Sequence, residues 1–120
     1  MNHATNDQIV APIIHKVYVF YRALYGEINR FPKKDRYTIG RQCEQEILTI
    51  LSLLFTANAQ PDASKLKYLL EIDTKLSVLK TLLRLAHDVQ ALKRSYYLGR
   101  ETELQEIGRM LGGWIKYVKR

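Results

Sequence analysis

The 120-residue chain has one cysteine, Cys43, so it cannot form an internal disulfide, and a reducing compartment suits it. Proline and glycine are scarce, at three and six residues, which leaves few turns and favours long regular elements. The longest apolar region, residues 47–55, is broken by Thr49 and Ser52. It falls far short of the roughly 20 apolar residues of a membrane-spanning helix. Residues 1–8 lack the basic start, apolar stretch and cleavage site of a secretion signal, so the expectation is a cytoplasmic protein with no membrane partner. Acids are in short supply: 12 Asp+Glu face 19 Lys+Arg, for a net charge of +7. That excess points to a polyanion such as nucleic acid more readily than to a neutral small molecule.

What remains is an ordinary globular mixture, 47% hydrophobic and 26% charged, which excludes disorder and collagen. It fits one domain over residues 1–120, with a flexible N-terminus over about residues 1–10. Helical spacing dominates and strand alternation is missing. A first helix is predicted from Pro12 to about Arg30, ended by Phe31-Pro32 because the residue before proline leaves the helical region. A basic connector, Lys33-Lys34-Asp35-Arg36, leads to a second helix ending at Ala57. The turn Asn58-Ala59-Gln60-Pro61-Asp62 precedes a third, capped by Asp62 or Ser64 and reaching about Leu92. Ser95 is the predicted cap of a fourth, which runs to the C-terminus. Short connections between four helices make an all-α, antiparallel up-down-up-down four-helix bundle the expected fold.

The helices are greasier than one bundle core needs. In the first, Ile13, Val17, Phe20, Leu24 and Ile28 form a core stripe, and Ile14, Tyr18, Tyr21 and Tyr25 form a second stripe beside it. In the third, Ile72, Leu76, Leu79, Leu82, Leu83, Ala86 and Val89 cover about half of the wheel, against an arc of roughly 100° for a single core face. Large exposed apolar patches are rare on monomers, so a homo-oligomer is expected, though the wheels do not choose a subunit number.

Catalysis finds little support. His3, His15 and His87 are scattered, without the convergence a metal site needs. Cys43 lies on an inner face with no histidine to activate it, so it reads as a packed thiol before a nucleophile. Glu44 and Glu46 point to different helix faces, while Glu103 and Glu106 share one and read as solvated surface. Gly108-Arg109-Met110-Leu111-Gly112-Gly113-Trp114 lacks the strand and the Lys-Ser or Lys-Thr of a phosphate loop. Gly108 and Gly112 instead share a helix face where another helix could approach closely, with Trp114 filling the adjoining volume. No cofactor, metal or catalytic residue is expected.

The cations are the chemistry that remains. Arg30, Lys33, Lys34, Arg36 and Arg41 face one acid, Asp35, and supply over half of the net charge. Tyr37 sits among them, where it could stack on a base. Lys80 and Arg84 project together from the third helix, flanked by Ser77 and His87. Arg109, Lys116 and Arg120 share a stripe on the fourth, and no acid follows Glu106. Such rows can track a phosphate backbone; a solvated, solubilising face is the bland alternative for each. With no base-reading motif beside them, contact is expected to phosphate and shape more than to sequence.

Three segments together resemble one family: residues 31–40 (FPKKDRYTIG), residues 82–86 (LLRLA) and residues 106–116 (EIGRMLGGWIK). They are similar to the accessory variability determinant proteins of diversity-generating retroelements. These sit in a wider group of small four-helix-bundle proteins that includes products of intervening sequences in bacterial 23S ribosomal RNA genes. The resemblance implies a basic homopentameric barrel that binds the element's reverse transcriptase and its template-region RNA or DNA. It implies a non-catalytic role in mutagenic retrohoming, with the polymerase making the cDNA. Lys80 and Arg84 match basic positions used for nucleic-acid binding; lysine at position 80 keeps the charge but loses the bidentate geometry of arginine. A structural or interaction protein of the intervening-sequence type, without a reverse transcriptase, is the alternative.

Overall fold

The structure is a computed structural model and describes residues 6–120. Four long helices, α1 (Asn6–Ile28), α3 (Arg41–Ala59), α4 (Asp62–Asp88) and α5 (Arg94–Val118), are joined by a short α2 (Lys33–Asp35) and a π-helical turn (Arg36–Gly40). No strand occurs among the described residues. α1 packs on α3 and α5, and α4 on the same two, so the long helices form a four-sided bundle extending 51 × 22 × 18 Å. Tyr21 bonds Glu44 near one end of the α1–α3 seam and Asp7 bonds Asn58 near the other, which sets the antiparallel register.

The predicted α1 stripe, Ile13, Val17, Phe20, Leu24 and Ile28, is buried throughout. It meets Cys43, Ile47, Ile50 and Leu54 of α3, Ile72, Leu76, Leu79 and Leu83 of α4, and Leu104, Ile107, Leu111 and Trp114 of α5 in one core. Each such side chain contributes roughly 1.5–3 kcal/mol by leaving water. Cys43 is a core thiol, and burial pushes its pKa up to about 12.

The boundaries depart from expectation where tertiary contacts outweigh local signals. α1 starts at Asn6, not Pro12, and Pro12 sits inside the helix. The added turn is anchored from outside: Trp114 Nε1 donates to Asn6 Oδ1 at 2.6 Å, Asn6 Nδ2 donates to Asp62, and Val10 is buried. Residues 6–10 of the expected flexible N-terminus are therefore helical, and residues 1–5 lie outside the described residues. The basic connector is helical too, since α2 begins directly after Pro32. Gly40 closes the π-helical turn because a Cβ there would lie 2.7 Å from Cγ2 of the buried, branched Ile28.

None of the predicted caps forms. Pro61 and Lys93 occupy the N-cap positions of α4 and α5, with no side-chain cap hydrogen bond at either. The Asp62 carboxylate accepts from Asn6 instead, and Lys65 serves the other side of the α3–α4 corner. Its buried ammonium donates to the carbonyls of Ala57 (3.0 Å), Asn58 (3.1 Å) and Gln60, the orphan acceptors at the end of α3. A cation there also complements the negative helix terminus. α4 stops at Asp88, before Leu92, because Gln90 takes a left-handed conformation (φ 66°) and Leu92 turns back into the core.

Candidate nucleic-acid interface

Lys80 and Arg84 are one turn apart on α4, on the flank facing α5, and both are exposed. Together with Tyr97, Glu101 and Gln105 of α5 they line a groove of about 380 Å³. Among the described residues Lys80 has no acidic partner within ion-pair distance, and Arg84 has only Asp88, 3.9 Å away on its own helix with both side chains mostly in water. Such an exposed pair is weak and leaves the charge free for another anion. The Lys80 ammonium reaches across to α5, 3.9 Å from where a Cβ of Gly108 would be, an ordinary contact distance.

His87 does more than flank these cations. Its ring stacks parallel on Tyr97, with centroids 4.8 Å apart and planes within 1°. The Tyr97 phenol is raised above its ordinary pKa, first by burial and then by its hydrogen bond to Glu101.

The other predicted basic residues are only partly free. Lys33, Lys34, Arg41 and Lys116 are exposed. Arg30 donates to the Tyr96 hydroxyl and stands over that ring at 5.8 Å, while Arg36 covers Tyr37 at 5.6 Å. Arg120 folds onto Tyr117, 4.0 Å from its ring centre. Arg109 is engaged bidentately by Glu106, with Nε 3.0 Å from Oε2, and that bond holds the Glu106 carboxyl below its usual range. The α5 row is therefore one free lysine with two occupied arginines. Glu106 pairs with Arg109 on the exposed helix surface, whereas Glu103 is engaged by Arg100.

Sequence reasoning missed the network that occupies Glu103. Arg100 Nη1 lies 2.9 Å from Glu103 Oε1, and its Nε lies 3.7 Å from Glu27 Oε1 across the α1–α5 seam. These approaches are close enough for ion pairing but are not aligned as hydrogen bonds. Burial raises the Glu27 pKa and the Arg100 charge lowers it, with the net shift upward. The spacing of Arg100 and Glu103 was legible as a helical pair, whereas Glu27 is 73 positions away from Arg100.

The bAvd-like family model matches residues 12–118, nearly the whole chain. The chain belongs to the bAvd-like family. This is the accessory variability determinant family that the three segments resemble, and all three lie inside the matched range. Members of the bAvd-like family are accessory proteins not known as catalysts, and the function follows at that level: an accessory protein of a diversity-generating retroelement. No curated protein matches this sequence.

Two apolar faces of this bAvd-like chain remain uncovered. On the α1–α3 side, Tyr18 and Tyr25 stand in water with Leu48 and Phe55, the last 61% exposed, while Ile14 and Tyr21 are half-buried. Tyr21 donates to Glu44 Oε2 at 2.7 Å, and burial followed by that bond pushes its pKa up to about 12. On α4, Leu70, Val78 and Leu85 form a second exposed stripe, with Val89 just beyond the helix end. The close helix approach predicted at Gly108 and Gly112 is not made within the chain. Nothing lies within 4 Å of where a Cβ would stand at Gly112 or Gly113, because these positions face away from the core that Trp114 fills. Among the described residues no helix is long and apolar enough to cross a membrane.

Proposed function

We propose that this protein is a cytoplasmic, non-catalytic scaffold of mutagenic cDNA synthesis and retrohoming. It binds template-region RNA or the RNA–cDNA hybrid and engages the element's reverse transcriptase. The observation that carries the reading is the Lys80–Arg84 pair at the mouth of a groove: among the described residues Lys80 has no carboxylate within ion-pair distance, and Arg84 has only the water-exposed Asp88. Arg100, by contrast, lies within ion-pair distance of two carboxylates. Binding by the free cations releases counterions and weakens steeply with salt, with a log–log slope near −0.7 to −0.9 per phosphate neutralised.

Assembly into a homopentameric barrel belongs to the same proposal. The α1–α3 face and the α4 stripe are two different apolar surfaces on one chain. Two unlike faces suit head-to-tail contacts that close into a ring, whereas a two-fold dimer would use one face against itself. A ring repeats the Lys80–Arg84 pair around its circumference and multiplies a weak electrostatic contact.

The test is co-purification of the chain with the reverse transcriptase encoded beside it and the template-region transcript. Both are expected to be retained by wild type, with the transcript lost from Lys80→Ala/Arg84→Ala protein. A native mass corresponding to a monomer contradicts the barrel, and RNA retention unchanged in the double variant contradicts the electrostatic mechanism. A gene neighbourhood without a reverse transcriptase favours an interaction protein of the ribosomal intervening-sequence type.

A further inference from the structure

The groove between α4 and α5 carries more than charge. We propose that it holds one unpaired nucleotide of a bound strand, with the base stacked on Tyr97 and the adjacent phosphate on Lys80 and Arg84. This rests on the nucleic-acid reading above and adds a site that reads strandedness.

Three observations converge on it. Tyr97 is already half of an aromatic stack, held against His87 with planes within 1°. His87 in turn is steadied by the Leu92 carbonyl, 3.3 Å from its Nδ1. Tyr97 lines the groove together with Lys80, Arg84 and Gln105, whereas His87 is not part of the groove lining. A base entering the groove extends the stack from imidazole to phenol to nucleobase. The aromatic platform is set before the ligand arrives, so little side-chain ordering opposes binding.

The space and the polar groups agree. A groove of about 380 Å³ has room for a single nucleotide. Gln105, an amide donor and acceptor, and Glu101, a carboxylate acceptor, line the same groove. The Glu101 carboxylate accepts hydrogen bonds from base amino groups, which an acidic peptide lacks. The Lys80 ammonium lies near Gly108 of α5. Stacking on one ring tolerates any base, which matches the missing sequence-reading motif.

The test uses the full chain at low salt with fluorescently labelled single strands of RNA and DNA. An abasic strand and a duplex, each of equal phosphate count, serve as controls. Wild type is expected to bind the base-bearing single strands more tightly than the abasic strand. Tyr97→Ala should weaken the base-bearing strands about five- to twentyfold and leave the abasic strand and duplex unchanged, since base–aromatic stacking accounts for that difference. Tyr97→Phe should bind as wild type. If Tyr97→Ala melts early by circular dichroism, Tyr97→Leu, which keeps apolar bulk without a ring face, carries the same expectation. RNA and DNA strands responding alike assigns the contact to the base; a response from RNA alone assigns it to a ribose-dependent pose of the same nucleotide.

Tyr97→Ala binding every probe as wild type does, while Lys80→Ala/Arg84→Ala binds none, overturns the base site and leaves the accessory reading intact. Tyr97→Ala losing duplex and abasic strand as much as the others overturns it as well. Wild type binding no nucleic acid at low salt sinks both readings at once.

Discussion

The seam between α1 and α5 and the seam between α4 and α5 carry the same kinds of residue and use them in opposite ways. In the first, Arg100 is about 15% exposed and reaches both Glu27 and Glu103. In the second, Arg84 is about 75% exposed, with one carboxylate at 3.9 Å, and Lys80 has none among the described residues. A cation clamped between two carboxylates holds helices together and is closed to outside anions. A cation left in water does little for stability and keeps its charge for a partner. Net charge is blind to this distinction, because the chain's excess of bases over acids is the same however the two are paired.

The largest way to break the contrast is Arg100→Ala. Removing the guanidinium leaves Glu27 and Glu103 poorly compensated, which is expected to cost about 3 kcal/mol in urea denaturation. Lys80→Ala and Arg84→Ala should each stay within about 0.5 kcal/mol of wild type, as surface substitutions do. Equal losses at the two seams would erase the distinction.

Binding should show the reverse order. The double variant Lys80→Ala/Arg84→Ala is expected to make the salt dependence of RNA affinity shallower by roughly 1.5 in log–log slope, two phosphate contacts' worth. Arg109→Ala, whose charge Glu106 already holds, should change that slope by less than half as much. Glu106→Gln sharpens the point by moving Arg109 from the clamped class to the free one. It should raise affinity by about two- to threefold at low salt, a fraction of what one new phosphate contact can supply. A titration in which Glu106→Gln binds no better than wild type would argue that the α5 face never meets the polyanion.

The smallest effect is the pH dependence of the buried seam. Glu27 titrates above its ordinary value in the folded state, chiefly through burial. The native chain therefore takes up that proton more readily than the unfolded chain. Its contribution to stability is complete below the ordinary carboxylate pKa and declines as pH rises through the raised one. The stability of wild type relative to Glu27→Gln should accordingly fall across that window, and a flat difference would mean that the seam is better solvated than its burial implies.

The core was legible in detail because the information is periodic and local: residues 13, 17, 20, 24 and 28 fall on one face of any helix built from them. The end of α1 was nearly legible too, since Phe31-Pro32 acts through bonded neighbours. Its start was not, because Asn6 is held by Trp114 from the far end of the chain. The caps were misread for a related reason. Asp62, Ser64 and Ser95 are good capping residues in isolation, but Asp62 accepts from Asn6 of α1 and the N-cap positions fall on Pro61 and Lys93. In the candidate site, Lys80 and Arg84 were found from spacing and resemblance, whereas Tyr97, Gln105 and the His87 stack depend on how α4 meets α5.

From the order of residues alone came the helical class, the buried stripes, the basic balance and the family segments, because each depends on neighbours within a few positions. Only the folded chain decided which arginines are clamped and which are free, whether the α5 glycines have a partner, and which aromatic ring faces a groove. Those outcomes depend on where one helix's side chains land against another's. An ångström or two of helix placement separates an ion pair from an open charge, and residue types by themselves do not encode that distance.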